Sequence, residues 1–311
     1  MYNKKITVSL AVSVLNEEKN IRNFLRSVLM QKEDGFYLCD IQILSDGSTD
    51  RTTEIIREFK NPKIKLTEFK QRKGKSYRLN QIYKNLTSEI LVQTDSDVIF
   101  AHPRVIHDLI QPLIKQKEIG MTGGNPVPYP ARTFTESSIN LTTRAYSEFR
   151  QKINSGNNIF SADGRLLAFK KATVKKIRIP TDMIANDVYA YFCNLTFGDQ
   201  YRYIKSAVVY FRSPQTINDQ VKQNSRFLAA HTRMERYFPS DVVRAQWNIP
   251  FWLKLKVLLA QFLRSPIASL YIFLLNRYCH FKAIFSENKM SAFWEIAYST
   301  KTVKFLKINK N

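Results

Sequence analysis

Ile90-Leu91-Val92-Gln93-Thr94-Asp95-Ser96-Asp97 is the stretch that decides the fold. A short apolar run over residues 90–94 reads as a buried strand, and it ends directly on two carboxylates two positions apart. The same unit recurs upstream. Residues 6–15 are an apolar run rich in β-branched side chains, residues 41–44 a second run and residues 63–69 a third. Between them apolar residues return at helical spacing: Ile21, Phe24, Leu25, Val28 and Leu29, then Ile55, Ile56 and Phe59, then Leu79, Ile82, Tyr83 and Leu86. Asn16 stands where an N-cap for the first of these helices is expected. Alternation of this kind predicts an α/β fold with a mostly parallel central sheet and helices on both faces. Such sheets bind ligands at the carboxyl ends of their strands, where Asn16-Glu17, Asp46 and Asp95-Ser96-Asp97 fall.

Residues 120–211 are less regular, with Gly123-Gly124, several prolines and Ser161-Ala162-Asp163-Gly164. They read as the second half of the same domain, and a helix is predicted over residues 217–237. The 311 residues are enough for one large α/β domain with an appendage. The expected organisation is a domain over 1–240, with halves 1–118 and 119–240, and a helical tail over 241–311. Cys39, Cys193 and Cys279 are odd in number and far apart, which argues against a disulfide framework and a zinc site. Lys and Arg total 48 against 26 acids, a net charge of +22. That excess implies an anionic partner (nucleic acid, an anionic membrane surface or phosphate-bearing substrates), with a Lys-rich solvated surface as the plainer alternative. The N-terminus shows no apolar signal segment or cleavage site, so the site is expected on the cytosolic side.

Two carboxylates at i and i+2 on a turn after a strand can converge on one hard cation, Mg²⁺ or Mn²⁺, which completes its shell with phosphate oxygens and water. Asp46, at the same edge, can accept a hydrogen bond from a base or cap a turn. Arg72-Lys73-Gly74-Lys75 sets three cations around a glycine before a helix. It suits phosphate, or is a solvated basic turn.

The order of these features resembles the family 2 glycosyltransferases of the GT-A, Rossmann-like fold. Val12-Ser13-Val14-Leu15-Asn16-Glu17-Glu18, Ser45-Asp46-Gly47-Ser48-Thr49-Asp50, Gly74-Lys75 with Leu79-Asn80, and Asp95-Ser96-Asp97 follow the family's first motifs. Asp163-Gly164-Arg165-Leu166, Asn186-Asp187 and Gln223-Asn224-Ser225-Arg226-Phe227 follow its acceptor segment, its Glu-Asp pair and its Q-x-x-R-W motif. The resemblance covers about residues 6–230. It implies a nucleotide-sugar donor, a UDP-sugar above all, with Glu17 and Asp46 at the nucleoside and Lys75 near the phosphates. Asp95 would meet the sugar or ribose, Asp97 a Mg²⁺ or Mn²⁺ ion, and Asp187 would be the general base of an inverting transfer. Gln223, Arg226 and Phe227, on one helix face at i, i+3 and i+4, would cover the diphosphate and the acceptor sugar. Three departures stand out: Ser45 replaces the first acid of the Asp-Asp-Gly loop, Asn186 the glutamate, and Phe227 the tryptophan. Taken without the family, Asp187 could be a helix cap or surface acid.

From Trp247 onward aromatic and aliphatic residues interleave with lysines, and ten Lys/Arg face two acids, Glu287 and Glu295. That is the composition of a segment lying in a membrane interface. Residues 257–275 approach the length of a membrane span, but Arg264 and Pro266 interrupt them; a buried hairpin is the remaining alternative. The expected reaction is therefore non-processive, the transfer of one or a few sugars to a lipid-linked or membrane-proximal acceptor at the cytoplasmic face of a membrane. The alternatives are a basic nucleic-acid- or membrane-binding protein without catalysis, or a catalytically dead relative. No zinc spacing, RNA-recognition motif or helix-turn-helix pattern is present, and no nucleic acid is expected.

Overall fold

A computed structural model describes residues 5–286, 293 and 297–305. Lys289, Lys307, Lys310, Glu287 and Glu295, part of the basic tail, lie outside the described residues. Four strands alternate with helices in the first half: β1 (Ile6–Val14), α1 (Ile21–Leu29), β2 (Phe36–Asp46), α2 (Thr52–Arg57), β3 (Ile64–Phe69), α3 (Lys75–Asn85) and β4 (Ile90–Thr94). β5 (Val98–Phe100), α4 (Val105–Lys115), β6 (Ile119–Pro128), α5 (Phe134–Lys152), β7 (Leu166–Lys170), α6 (Lys171–Val174), α7 (Asn186–Thr196), β8 (Gln200–Phe211) and α8 (Ile217–Met234) follow. The eight strands make one sheet in the order β3-β2-β1-β4-β7-β6-β8-β5.

β1 to β4 are parallel, as their alternation with helices requires. β7 runs antiparallel between β4 and β6, and β5 antiparallel to β8. Six of the eight strands thus share one direction and β5 and β7 oppose it, so the sheet is mostly parallel, as expected, with two antiparallel strands. Both faces are covered. Leu10 and Val12 of β1 pack with α1 and α4, whereas Ala11 between them packs with α3. β2 is longer than the apolar run at 41–44 because Phe36 and Leu38 are buried across the exposed Tyr37, a half-buried alternation.

The order has a geometric consequence. β4 and β5 are four positions apart, about 19 Å in a flat sheet, yet only Asp95, Ser96 and Asp97 join them. The four steps from Thr94 to Val98 reach about 14 Å at full extension, so the sheet curls and brings β5 back toward the first half. β5 accordingly meets α1: Phe100 N–H donates to Ser27 Oγ (3.2 Å), and the Phe24 and Phe100 rings lie 6.4 Å apart.

Asn16 does not cap α1. It adopts a left-handed conformation (φ 53°), and Asn20 precedes the first helical residue. The Asn16 amide oxygen instead accepts from Thr49 N–H (2.8 Å), tying the ends of β1 and β2 together. Asp46 performs the related task for the next loop. Its carboxylate accepts from the backbone N–H groups of Lys73 (2.9 Å) and Gly74 (2.7 Å) and from Arg78 Nε (2.7 Å). Gly74 has φ 87°, a conformation that glycine adopts without strain. Both Asp46 and Arg78 are almost fully buried, with the guanidinium stacked on Phe69.

Three helices follow over residues 240–286: α9 (Ser240–Trp247), α10 (Phe251–Arg264) and α11 (Pro266–Ser286). No helix among the described residues is long and apolar enough to cross a membrane. α11 packs on α5 and α8 through Ile272, Leu275 and Cys279. Residues 297–305 then return to the first half, where Val303 packs against Ile99 and Tyr129.

Breaking the Asp46–Arg78 pair leaves an uncompensated buried charge. Arg78→Met is expected to lower unfolding stability by about 3–5 kcal/mol, read as a lower urea midpoint. A midpoint unchanged from wild type would show that the pair does not hold the loop.

Candidate active site

The Asp95-Ser96-Asp97 link lines a pocket of about 180 Å³. Glu17 from the β1 end, Asp46 from the β2 end, Lys75 from the start of α3 and Gln223, Arg226 and Phe227 from α8 all line it. The structure thus brings eight of the nine residues singled out by sequence into one pocket. Asp187 lines the adjoining cavity.

Asp95 is ion-paired to the Lys75 ammonium. Asp97 has its proton affinity raised, first by burial and then by the Asp95 charge, with Arg165, Lys301 and Lys75 opposing. Arg165 is held by Asp163 (2.9 Å) and lies over the Phe211 ring. Among the described residues no group of three or more His, Cys, Asp or Glu could hold a metal. The protein therefore offers two carboxylates. That donor set fits Mg²⁺ or Mn²⁺, which commonly take one or two protein carboxylates and leave the other positions to phosphate oxygens and water. The charge crowding on Asp97 is also what a bound cation would relieve.

Glu17 is nearly buried, and both its oxygens are engaged. Oε2 accepts from Asn20 Nδ2 (3.1 Å) and Oε1 pairs with Lys301 Nζ (3.0 Å). Burial, then Asp97, pushes its pKa up to about 7, with Lys301 and Asn20 opposing. The Asp46 oxygens are likewise occupied by the 73–78 segment. So Glu17 and Asp46 line the pocket as carboxylates already used to build it. Lys301 was not visible from sequence as a site residue. It is 284 positions from Glu17, and no local motif marks it.

Asp187 sits in the first turn of α7. Its Oδ2 accepts from Gly164 N–H (2.9 Å) and its Oδ1 from its neighbour Val188 N–H (2.9 Å). Burial, then Asp163, raises its proton affinity, against the Gly164 bond and Lys75. A carboxylate so tuned is a better proton acceptor than an ordinary one. Asn186, where the family has glutamate, is buried and accepts from Ser76 Oγ (2.8 Å). Its Nδ2 is buried and has no hydrogen-bond partner among the described residues. The Asp187 cavity, about 500 Å³, is lined by Tyr146, Phe160, Phe211, Phe227, Trp247 and His280 among others. Gln223 and Phe227 line both compartments. Gln223 Oε1 is buried and accepts no hydrogen bond from the described residues.

Because Glu17 binds its proton more tightly when folded, stability is full below its ordinary value of 4.5 and is lost as pH rises through about 7. In chelator-treated protein that loss is about 3 kcal/mol at most. Urea unfolding across this window should show the decline in wild type and a flatter profile in Glu17→Gln. Parallel profiles would remove Glu17 as its source.

The family model "Glycosyl transferase family 2" matches residues 9–178. A poly-beta-1,6-N-acetyl-D-glucosamine synthase of Staphylococcus epidermidis is 28% identical over 76% of this chain and 57% of its own length. The chain thus spans little more than half of that relative. A glucosyl-3-phosphoglycerate synthase of Petrotoga mobilis is 34% identical over 37% of each chain. Among solved structures, a mannosyltransferase of Pyrobaculum calidifontis in complex with GDP-Man and Mn²⁺ aligns with TM-score 0.65, at 16% identity, over 92% of this chain and 88% of its own. Glucosyl-3-phosphoglycerate synthase of Mycobacterium tuberculosis, with Mn²⁺, UDP and phosphoglyceric acid, aligns with TM-score 0.52, at 16% identity, over 74% and 78%. These structures share the fold. With more than half of its residues matched by the family model, the chain belongs to glycosyl transferase family 2.

Proposed function

We propose that this protein is an inverting glycosyltransferase that moves a sugar from a nucleotide sugar, a UDP-sugar in our reading, to a lipid-linked or membrane-proximal glycan acceptor. The observation that carries the proposal is the pair of compartments. One holds paired carboxylates among cations, the other holds a carboxylate of raised proton affinity among aromatic rings, and they share Gln223 and Phe227 as a wall. That arrangement suits a donor and an acceptor meeting across one reacting bond. Solved relatives by fold bind UDP or GDP-Man with Mn²⁺, and a sequence relative is named for synthesis of a glucosamine glycan.

In this reading the acceptor hydroxyl lies beside Asp187, which takes its proton as the oxygen attacks the anomeric carbon. The bond from that carbon to the diphosphate breaks on the opposite side, and the configuration inverts. Lys75 and Arg226 balance the charge that the diphosphate keeps. Asp97, with Asp95 beside it, would hold a Mg²⁺ or Mn²⁺ ion that neutralises the leaving group. Phe227 offers an aromatic face to the sugar, and the Gln223 acceptor oxygen is open to a ligand hydroxyl.

The membrane part of the proposal is supported by α10 and α11. Phe251, Trp252, Leu263, Ile267, Phe273 and Phe285 are exposed there, with Lys254, Lys256, Arg264 and Arg277 on the same two helices. Apolar rings among cations suit an anionic lipid surface, which we place at the cytoplasmic face.

Release of UDP from UDP-sugars with Mg²⁺ or Mn²⁺ tests the reaction. Asp187→Asn should keep nucleotide affinity and lose about 100-fold or more in turnover; Asp97→Ala should lose the metal dependence. Full activity of either variant would remove the assigned role. In flotation, wild type should rise with phosphatidylglycerol vesicles, and Phe251→Ser/Trp252→Ser should remain below. Equal flotation of the two proteins would locate the lipid contact elsewhere.

A further inference from the structure

We propose that residues 297–305 form a built-in wall of the nucleotide-sugar pocket and that Lys301 is a donor-positioning residue; the inference rests on the reading of that pocket given above. Ala297, Thr300 and Lys301 line it beside the acids. Lys301 is 8% exposed. Its ammonium meets the carbonyl oxygens of Leu15 (3.0 Å) and Asn16 and the Glu17 carboxylate (3.0 Å). An ammonium has three N–H donors and no acceptor, so these three oxygens use its full capacity. They are the three consecutive residues that follow β1 at the pocket's rim. Asn16 among them is the left-handed residue, so the lysine holds a turn that the backbone does not favour by itself.

The segment is braced from both halves of the fold. Val303 N–H donates to Asn20 Oδ1 (2.9 Å) and its carbonyl accepts from Asn23 Nδ2 (3.0 Å). Tyr129 OH donates to the Lys304 carbonyl (2.6 Å). Ser299 N–H donates to Asp219 Oδ2 on α8 (2.9 Å), and Gln215 N–H donates to Ser299 Oγ (3.0 Å). Val303 is 1% exposed. The wall therefore stands before a ligand arrives, which lowers the ordering cost of binding. Its charge suits the same ligand. Lys301 opposes the negative potential on both Glu17 and Asp97, so a nucleoside diphosphate meets less repulsion there.

Titration calorimetry of the full chain with UDP and with GDP, each with Mn²⁺, tests the inference alongside thermal unfolding. Lys301→Met should weaken binding of the preferred nucleotide about tenfold or more, and Lys301→Arg should restore it to within about threefold. The variant Glu17→Gln/Lys301→Met removes the buried unpaired carboxylate. It should recover wild-type unfolding temperature while its nucleotide binding stays about tenfold or more below that of Glu17→Gln alone, a split that a merely structural brace would not give. Recovery of binding together with stability in that double variant, or undiminished binding by Lys301→Met, overturns the inference alone. Wild-type protein that binds neither nucleotide overturns the pocket's reading, and this inference with it.

Discussion

The three-residue link between β4 and β5 is the constraint on which the rest of the structure depends. A connection that short cannot cross four strand spacings in a flat sheet, so β7, β6 and β8 must carry the sheet around until β5 reaches α1. The two carboxylates of the link are then enclosed. The ends of β1 and β2 lie on one side, and α8, which follows β8, closes the other. A longer, flexible link would leave the sheet free to flatten and the carboxylates free to face solvent. The motif is thus part of the architecture as well as a candidate for chemistry.

Enclosing acids has an electrostatic cost, and the structure meets it one cation at a time. Glu17 is matched by Lys301, Asp46 by Arg78 and Asp95 by Lys75. These partners come from the chain's last described segment and from α3. Buried pairs of this kind add little net stability against an apolar replacement, but losing one partner is costly. Their effect is to fix where each carboxylate points. The ion pairs described reach three of the four acids and not Asp97, which feels Arg165 and Lys301 only through space. Asp97 is therefore the carboxylate left available for a bound cation, and Asp95 the one whose position is set by the protein.

Much of the first half was legible because its signals are local. The strand at 90–94 agrees with β4 residue for residue, and the helical stripes at 21–29 and 79–86 follow from spacing alone. Asn16 was misread as a helix cap because cap and left-handed turn residue share the same chemistry, and only the neighbouring β2 loop decides between them. The antiparallel insertion of β7 was not legible. Strand direction depends on how long connections cross the molecule, and residues 120–211 carry few period signals to show it. Gathering of the acids at strand ends was legible from fold class. Their occupation was not: Arg78 lies on a helix whose stripe marks only its apolar face, and Lys301 lies in a tail whose composition points toward lipid.

The change of composition near residue 240 and the limits of the packed unit are different things. Exposed rings and cations begin at α10, so the sequence divides there. Contacts do not divide there. α11 packs on α5 and α8, and the segment beyond it bonds to Asn20, Asn23, Tyr129 and Asp219, which span both halves of the sheet domain. A segment bonded to both halves resists their separation, and it does so at the pocket where they meet. The helices with the exposed apolar face precede the segment beside Glu17 in the chain. Residues 297–305 thus pack with the sheet domain and line its pocket, although by composition they fall with the basic tail.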